Sequence, residues 1–142
     1  MKTSFRAARY DRTQDTEAVE WPPSDARIKL YERALSRDSN NHLLLLDLAS
    51  EYVRHRRTGD VRRTLEQVAG LFPTSAMVQL RVAATYAAAN LPQLAISHYR
   101  RSLEINPHQS GVDDIMNELA RLNEQVRGPV DLPIRKLERP AE

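Results

Sequence analysis

Four histidines, His42, His55, His98 and His108, are the side chains best suited to metal or proton chemistry. A helix-borne zinc site needs two of them one turn apart and a further ligand close by. No two stand four residues apart, so each reads as a surface or cap-adjacent histidine. Asp113 and Asp114 are adjacent carboxylates, which suits the start of a helix better than an acid–base pair. The absence of Cys removes thiolate metal sites, a thiol nucleophile and disulfides. No Gly-rich phosphate loop or Gly-x-Ser-x-Gly elbow is present. The expectation is a protein that is not an enzyme and holds no metal or cofactor.

Charge clusters once. Arg54, His55, Arg56, Arg57, Arg62 and Arg63 crowd one inter-helix turn. Cations are favoured at a helix C-terminus, so a solvated turn accounts for them. The functional alternative is a docking patch for an acidic segment or a nucleic-acid backbone. The patch lacks interleaved aromatics for base stacking, and RNA held there would be lost steeply with salt.

The elements that position these residues are helices. The chain has 142 residues, 41% apolar and 28% charged, enough for one soluble domain with a real core. A net charge of +2 does not by itself imply a nucleic-acid partner. No apolar run is long enough to span a membrane. The basic start MKTSFRAARYDR lacks an apolar signal core. It faintly resembles an Arg-rich transit peptide, but Asp11, Asp15 and Glu17 follow closely, so a cytoplasmic protein is expected. Apolar spacings of three and four predict helices over roughly 24–37, 41–56, 60–71, 75–89, 92–104 and 111–126. Asn40-Asn41 caps the second, and Gly59-Asp60 separates it from the third. Phe72-Pro73-Thr74-Ser75 ends the third and caps the fourth. Asn90 suits a left-handed stop, and Pro92 a first turn. Ser110 with Asp113 matches a capping box. Short turns make neighbouring helices antiparallel.

A displacement of 34 residues maps the chain on itself. Pro73 falls on Pro107, Tyr52 on Tyr86, Leu48 on Val82 and Ala49 on Ala83. Leu65 falls on Tyr99, Val61 on Ala95 and Val68 on Ser102. One step back, Leu65 falls on Tyr31, Val68 on Ala34 and Ala69 on Leu35. With Leu45 as the leading large residue, this pattern resembles the tetratricopeptide repeat (TPR) family. The resemblance is close over about 42–107 and looser over 24–126. Neither small position is Gly, and Val61 stands where Ala is usual. The resemblance implies an all-α fold, a right-handed superhelical stack of antiparallel helix–turn–helix repeats with about six helices. Repeats run about 42–75 and 76–109, flanked by helices 24–37 and 111–126. Outside this 24–126 domain lie a polar segment, 1–23, and a Pro-rich extended tail, 127–142. Locally, ARIKLYERAL (26–35), preceded by Trp21, also resembles the half-a-TPR repeats of RNA-processing scaffolds. Trp21 is expected to pin the N-terminal segment to the first helix.

The resemblance implies a concave face lined by Leu43, Leu46, Ser50, Val53 and Arg54, then Met77, Leu80, Ala84, Ala87 and Ala88. Four successive leucines, 43–46, cover a full helical turn and mark a helix buried on more than one side. Leu44, Leu45 and Leu48 are expected in the core. Leu43 and Leu46, with Met77 and Leu80, are expected to form an apolar strip floored by Ala. Another protein's apolar or amphipathic segment, or the chain's own Val130, Leu132, Ile134 and Leu137, would cover it. The family's carboxylate clamp falls on Leu46, Ser50, Arg81, Gly111 and Ile115, of which Arg81 alone has a suitable type. The functional expectation is a small adaptor, scaffold, or assembly or regulatory subunit of a complex. The alternatives are an RNA-associated scaffold using the Arg-rich turn and an accessory subunit modulating an enzyme.

Overall fold

The structure is a computed structural model that describes residues 24–128. Six helices make up the described residues: α1 Ser24–Arg37, α2 His42–Arg54, α3 Thr58–Leu71, α4 Ala76–Ala88, α5 Pro92–Ile105 and α6 Val112–Arg127. None is long and apolar enough to cross a membrane.

Local chemistry sets the boundaries. Asn41 Oδ1 accepts the Leu44 N–H at 3.2 Å, and Ser75 Oγ accepts the Val78 N–H at 3.2 Å. Each satisfies one of the donors a helix start leaves over. Pro92 opens α5, where its missing N–H costs nothing. Asp60, Asp113 and Asp114 occupy first turns, where the helix dipole favours negative charge. Ser75→Ala and Asn41→Ala are each expected to cost about 1 kcal/mol, read as a lower urea midpoint.

The 34-residue displacement holds for the backbone as well as for the side chains. α2 and α4 start and end 34 residues apart, and so do α1, α3 and α5 in succession. Both tight reversals use a left-handed residue, Arg56 (φ 57°) and Asn90 (φ 62°). In each, the next N–H donates back into the helix, Arg57 to Tyr52 O at 2.9 Å and Leu91 to Tyr86 O at 3.0 Å. α2 pairs with α3, and α4 with α5, as helical hairpins; α2 also packs on α4, which stacks one hairpin on the other. α1 closes one end against α2, and α6 closes the other against α5.

The matched side chains form the core. Ala49, Ala83 and Ala95 have no exposed surface, which lets helix backbones approach closely. Tyr52, Leu65, Val68, Val82, Tyr86, Tyr99 and Ser102 fill the space between pairs. Two buried polar side chains are bonded to the backbone: Ser102 Oγ donates to Ala76 O at 2.9 Å, and Gln79 Nε2 to Ala69 O and Phe72 O. At the α1 end, Arg27 occupies the position of Val61 and Ala95. It donates to both carboxylate oxygens of Glu51, at 2.8 and 3.0 Å.

Two expectations about element ends are corrected. Gly59 lies inside the first turn of α3, and the preceding reversal is made by Arg56 instead. Ser110 does not cap α6. The N-cap is Gly111 at φ 82°, a conformation that glycine adopts without strain, and no side chain bonds there. Helix α6 therefore starts two residues later than the 34-residue displacement of α4 would place it.

The two matched tyrosines bond alike. Tyr52 donates to Glu32 at 2.8 Å and Tyr86 to Glu66 at 2.6 Å, each 20 residues upstream. Burial first, then the carboxylate, pushes Tyr52 up from 10.0 to about 12, and raises Tyr86 likewise. The fold thus requires neutral phenols, while the unfolded chain releases these protons near pH 10. Stability from this source is complete below pH 10 and is lost as pH rises toward 12. Urea denaturation across pH 9–12 should show that loss, and Tyr52→Phe should flatten it.

Candidate functional site

Helices α2 and α4 lie side by side, and they carry the face expected to be concave. Leu43 and Met77 hold equivalent positions in the first turns of these helices and are 54% and 66% exposed. Further along, Ser50, Val53, Ala84, Thr85 and Ala88 line a hollow of about 250 Å³. Small side chains on both helices keep this floor shallow. Val53 and Ala88 also line a second hollow of about 400 Å³, with Arg56, Arg57, Thr58, Val61, Ala89 and Asn90. The floor therefore runs without a break from the middle of α2 and α4 to the two inter-helix turns.

Of the residues expected at the site, Ser50, Arg81, Ala84 and Ala88 are exposed, and Val53, Leu80 and Ala87 half-buried. Leu46 is corrected. It is 3% exposed and belongs to the core, while Leu44, expected in the core, is half-buried. Leu46 belongs to the buried core cluster, on a helix that packs against both α3 and α4. Its equivalent Leu80 keeps some exposure because α6 packs on α5. Between α4 and α6 is left a hollow of about 350 Å³, lined by Leu80, Tyr99, Ser110, Gly111, Asp114, Ile115 and Glu118.

The basic cluster is divided. Asp60 accepts from Arg57 Nε at 2.7 Å and from Arg63 at 2.6 Å. Those two guanidiniums hold its carboxyl below the usual range, Arg63 foremost. The Arg57 guanidinium also stacks 4.6 Å from the Tyr52 ring centre. Arg54 and Arg56 stand at the end of α2, and Arg62 lines a separate hollow with Leu91, Pro92, Gln93, Leu94 and Val126. One carboxylate thus neutralises part of the cluster, and the rest faces two different surfaces.

The histidines are dispersed along the stack. The His42 ring packs 4.6 Å from Phe72. His55 closes α2, with Nδ1 3.6 Å from Asp25. His98 stacks on Tyr86, ring centres 5.4 Å apart, and its Nδ1 lies 2.8 Å from Gln79 Oε1. Since Gln79 Nε2 already donates to two carbonyls, Oε1 is the acceptor and His98 Nδ1–H the donor. His108 is exposed. Among the described residues no three His, Asp or Glu side chains form a metal-holding group.

Among solved structures the chain is similar to the first TPR of Spaghetti (RPAP3) bound to the HSP90 peptide SRMEEVD. The TM-score is 0.58 at 22% identity, over 74% of this chain and 81% of that one. The chain has the tetratricopeptide-repeat fold. The TPR stack is also similar to MamA (MSR-1, C2), with a TM-score of 0.56 at 19% identity over 84% of this chain and 70% of that one. A second MamA crystal structure gives 0.50 at 23% identity, over 78% and 66%. No family model matches the sequence, and no curated protein matches it.

Two features of the TPR surface escaped sequence reasoning. Thr85 lines the floor, and Leu91, Leu94 and Val126 converge on a hollow at the α5–α6 edge. Thr85 is one residue from Ala84 in the helix and carries the signal of neither core nor groove. Val126 meets α5 through a tertiary contact that no periodicity announces. Trp21, Val130, Leu132, Ile134 and Leu137, expected as anchor and plugs, lie outside the described residues.

Proposed function

We propose that this chain is a non-catalytic interaction module whose concave face receives an apolar or amphipathic segment of another protein. It would serve as a small adaptor or as an assembly or regulatory subunit. One observation carries the reading: Leu43 and Met77, at matched positions of α2 and α4, are both more than half exposed beside a smooth floor of Ser50, Ala84 and Ala88. Paired apolar anchors over small residues suit a helix laid along a groove. The TPR neighbour that holds an HSP90 peptide supports a protein segment as the class of ligand. The side chains here favour a different segment. At the clamp positions Leu46 and Ile115 are buried, and Ser50 and Gly111 carry no charge, so an acidic chain end has little to hold it.

The test is a photo-crosslinking residue at Ala84 in the otherwise intact chain, compared with the same chain carrying Leu43→Glu and Met77→Glu. Both side chains are exposed, so an unchanged thermal melt is expected. The crosslinked partner should be lost from the double variant, with affinity down on the order of ten- to a hundred-fold. A partner captured equally by both chains rejects the groove and points to the convex face or the chain ends.

A further inference from the structure

The stack ends on two half-hairpins. α1 matches α3 and α5 at the 34-residue displacement, and those are the second helices of their hairpins. Among the described residues no first helix stands before α1. At the other end α6 follows α5 as α4 follows α3, so it is a first helix, and no second helix follows it among the described residues. Each end has the half that the other lacks.

Side chains mark where the missing halves belong. Leu30 matches Thr64 and His98. His98 stacks on Tyr86 and meets Gln79, both on α4, the first helix of its own hairpin. Thr64 is 4% exposed, whereas Leu30 is 47% exposed. Tyr31 and Ala34 are half-buried, although Leu65 and Val68 at the matched positions have no exposed surface. On α6, a displacement of 36 residues carries Gln79, Ala83 and Tyr86 of α4 onto the buried Ile115, Leu119 and Leu122. The same step carries Leu80 onto Met116. Leu80 shares a hollow with Tyr99, on the second helix of its hairpin. Leu46, at the same place in the first hairpin, is 3% exposed, and Met116 is 52% exposed. Leu30 and Met116 are thus apolar side chains more open than the matched positions of the complete hairpins.

The two ends carry opposite charge. α1 has four cations, Arg27, Lys29, Arg33 and Arg37, against the two carboxylates of Asp25 and Glu32. α6 has four carboxylates, Asp113, Asp114, Glu118 and Glu124, against two cations, Arg121 and Arg127. The exposed Arg33 and Arg37 lie within about 60° of Leu30 around α1, and the exposed Asp113 and Glu124 within about 80° of Met116 around α6.

We propose that copies of this chain join head to tail, α6 of one copy packing against α1 of the next to complete the missing hairpin. Met116 and Leu30 lie in the seam, and the carboxylates of α6 meet the cations of α1. No loop joins these two helices, so the two-residue shift before α6 sets no limit on their fit. The contact uses a different patch on each copy, so every assembly keeps one open α1 and one open α6, and growth does not close at two. A single helix pair is a small interface, which makes the association reversible and dependent on concentration. Screening of the opposed charges weakens it as salt rises. The α2–α4 floor takes no part, so the contact is independent of the groove reading.

The test is sedimentation of the full chain at low salt, from micromolar to millimolar concentration, beside Leu30→Glu and Met116→Glu. Both side chains are exposed, so thermal melts equal to that of the natural chain are expected and confirm the fold. The natural chain should grow past a dimer with concentration and shrink as salt is added. Each variant alone should lose association by at least about ten-fold and sediment as a monomer. Mixed in equal amounts, the two variants should form a dimer and nothing larger, because Leu30→Glu keeps its α6 end and Met116→Glu keeps its α1 end. A natural chain that stays monomeric throughout overturns the proposal and leaves the ends to the chain's own terminal segments or to a different protein. A dimer that stops at two, or one that persists in either variant alone, overturns it in favour of a two-fold contact. So does a mixture of the variants that remains monomeric, since one intact α1 and one intact α6 would then not suffice.

Discussion

Tyr86→Ala is expected to remove a large share of the protein's stability at 25 °C. The ring has no exposed surface and lies where α3, α4 and α5 meet, bonded to Glu66 and stacked on His98. Removing a buried aromatic of this size costs about 3–5 kcal/mol, against a total of roughly 5–15 kcal/mol for a domain. The loss falls on the interface that joins the two hairpins, and in a stack each unit depends on its neighbour for burial. Tyr86→Phe keeps the ring and removes the hydroxyl bond, and should cost about 1–2 kcal/mol. Urea denaturation followed by circular dichroism separates the two. A stable, cooperative Tyr86→Ala protein would show that the hairpins do not rely on this residue for their stacking.

The second large effect is expected at the opposite end. Glu51→Ala should destabilise the fold by about 2–3 kcal/mol, because it removes both oxygens to which Arg27 donates in a largely dry setting. The figure lies below that for a fully buried pair because both side chains keep some contact with water. Arg27 holds the place taken by Val61 and Ala95 in the hairpins, so an apolar residue suits the backbone there. The double variant Arg27→Leu, Glu51→Leu is therefore expected to recover most of the stability that Glu51→Ala loses. Thermal melts of the single and double variants measure the coupling. A double variant no better than Glu51→Ala would mean that the position requires charge.

Much of this architecture was legible in the sequence, because the residues that build it are chosen by packing. Ala49 and Ala83 are small since backbones meet there, and Tyr52 and Tyr86 are large since hairpins meet there. Such demands recur with every unit, and recurrence is visible in a single sequence. What depends on only one neighbour was not visible. Leu43 to Leu46 are chemically identical, and only the placement of the neighbouring helices decides that Leu46 is covered and Leu43 is not. Likewise nothing in the side chain of Arg56 announces a left-handed residue. Alignment with Asn90, which favours that conformation, was the one available clue. The pairing inside the Arg-rich turn was hidden for a similar reason, since only the fold places Asp60 between Arg57 and Arg63.

The strict recurrence of caps and reversals has a practical corollary. A second copy of residues 42–75 spliced in after Ser75 would meet the same cap, the same left-handed residue and the same packing partners at both seams. Such a lengthened protein should fold, gain stability with size, and offer a longer concave surface. The same splice placed after Gly111 should fail, since the register is broken there by two residues. Growth by internal duplication is thus open in the middle of this chain and closed at its end.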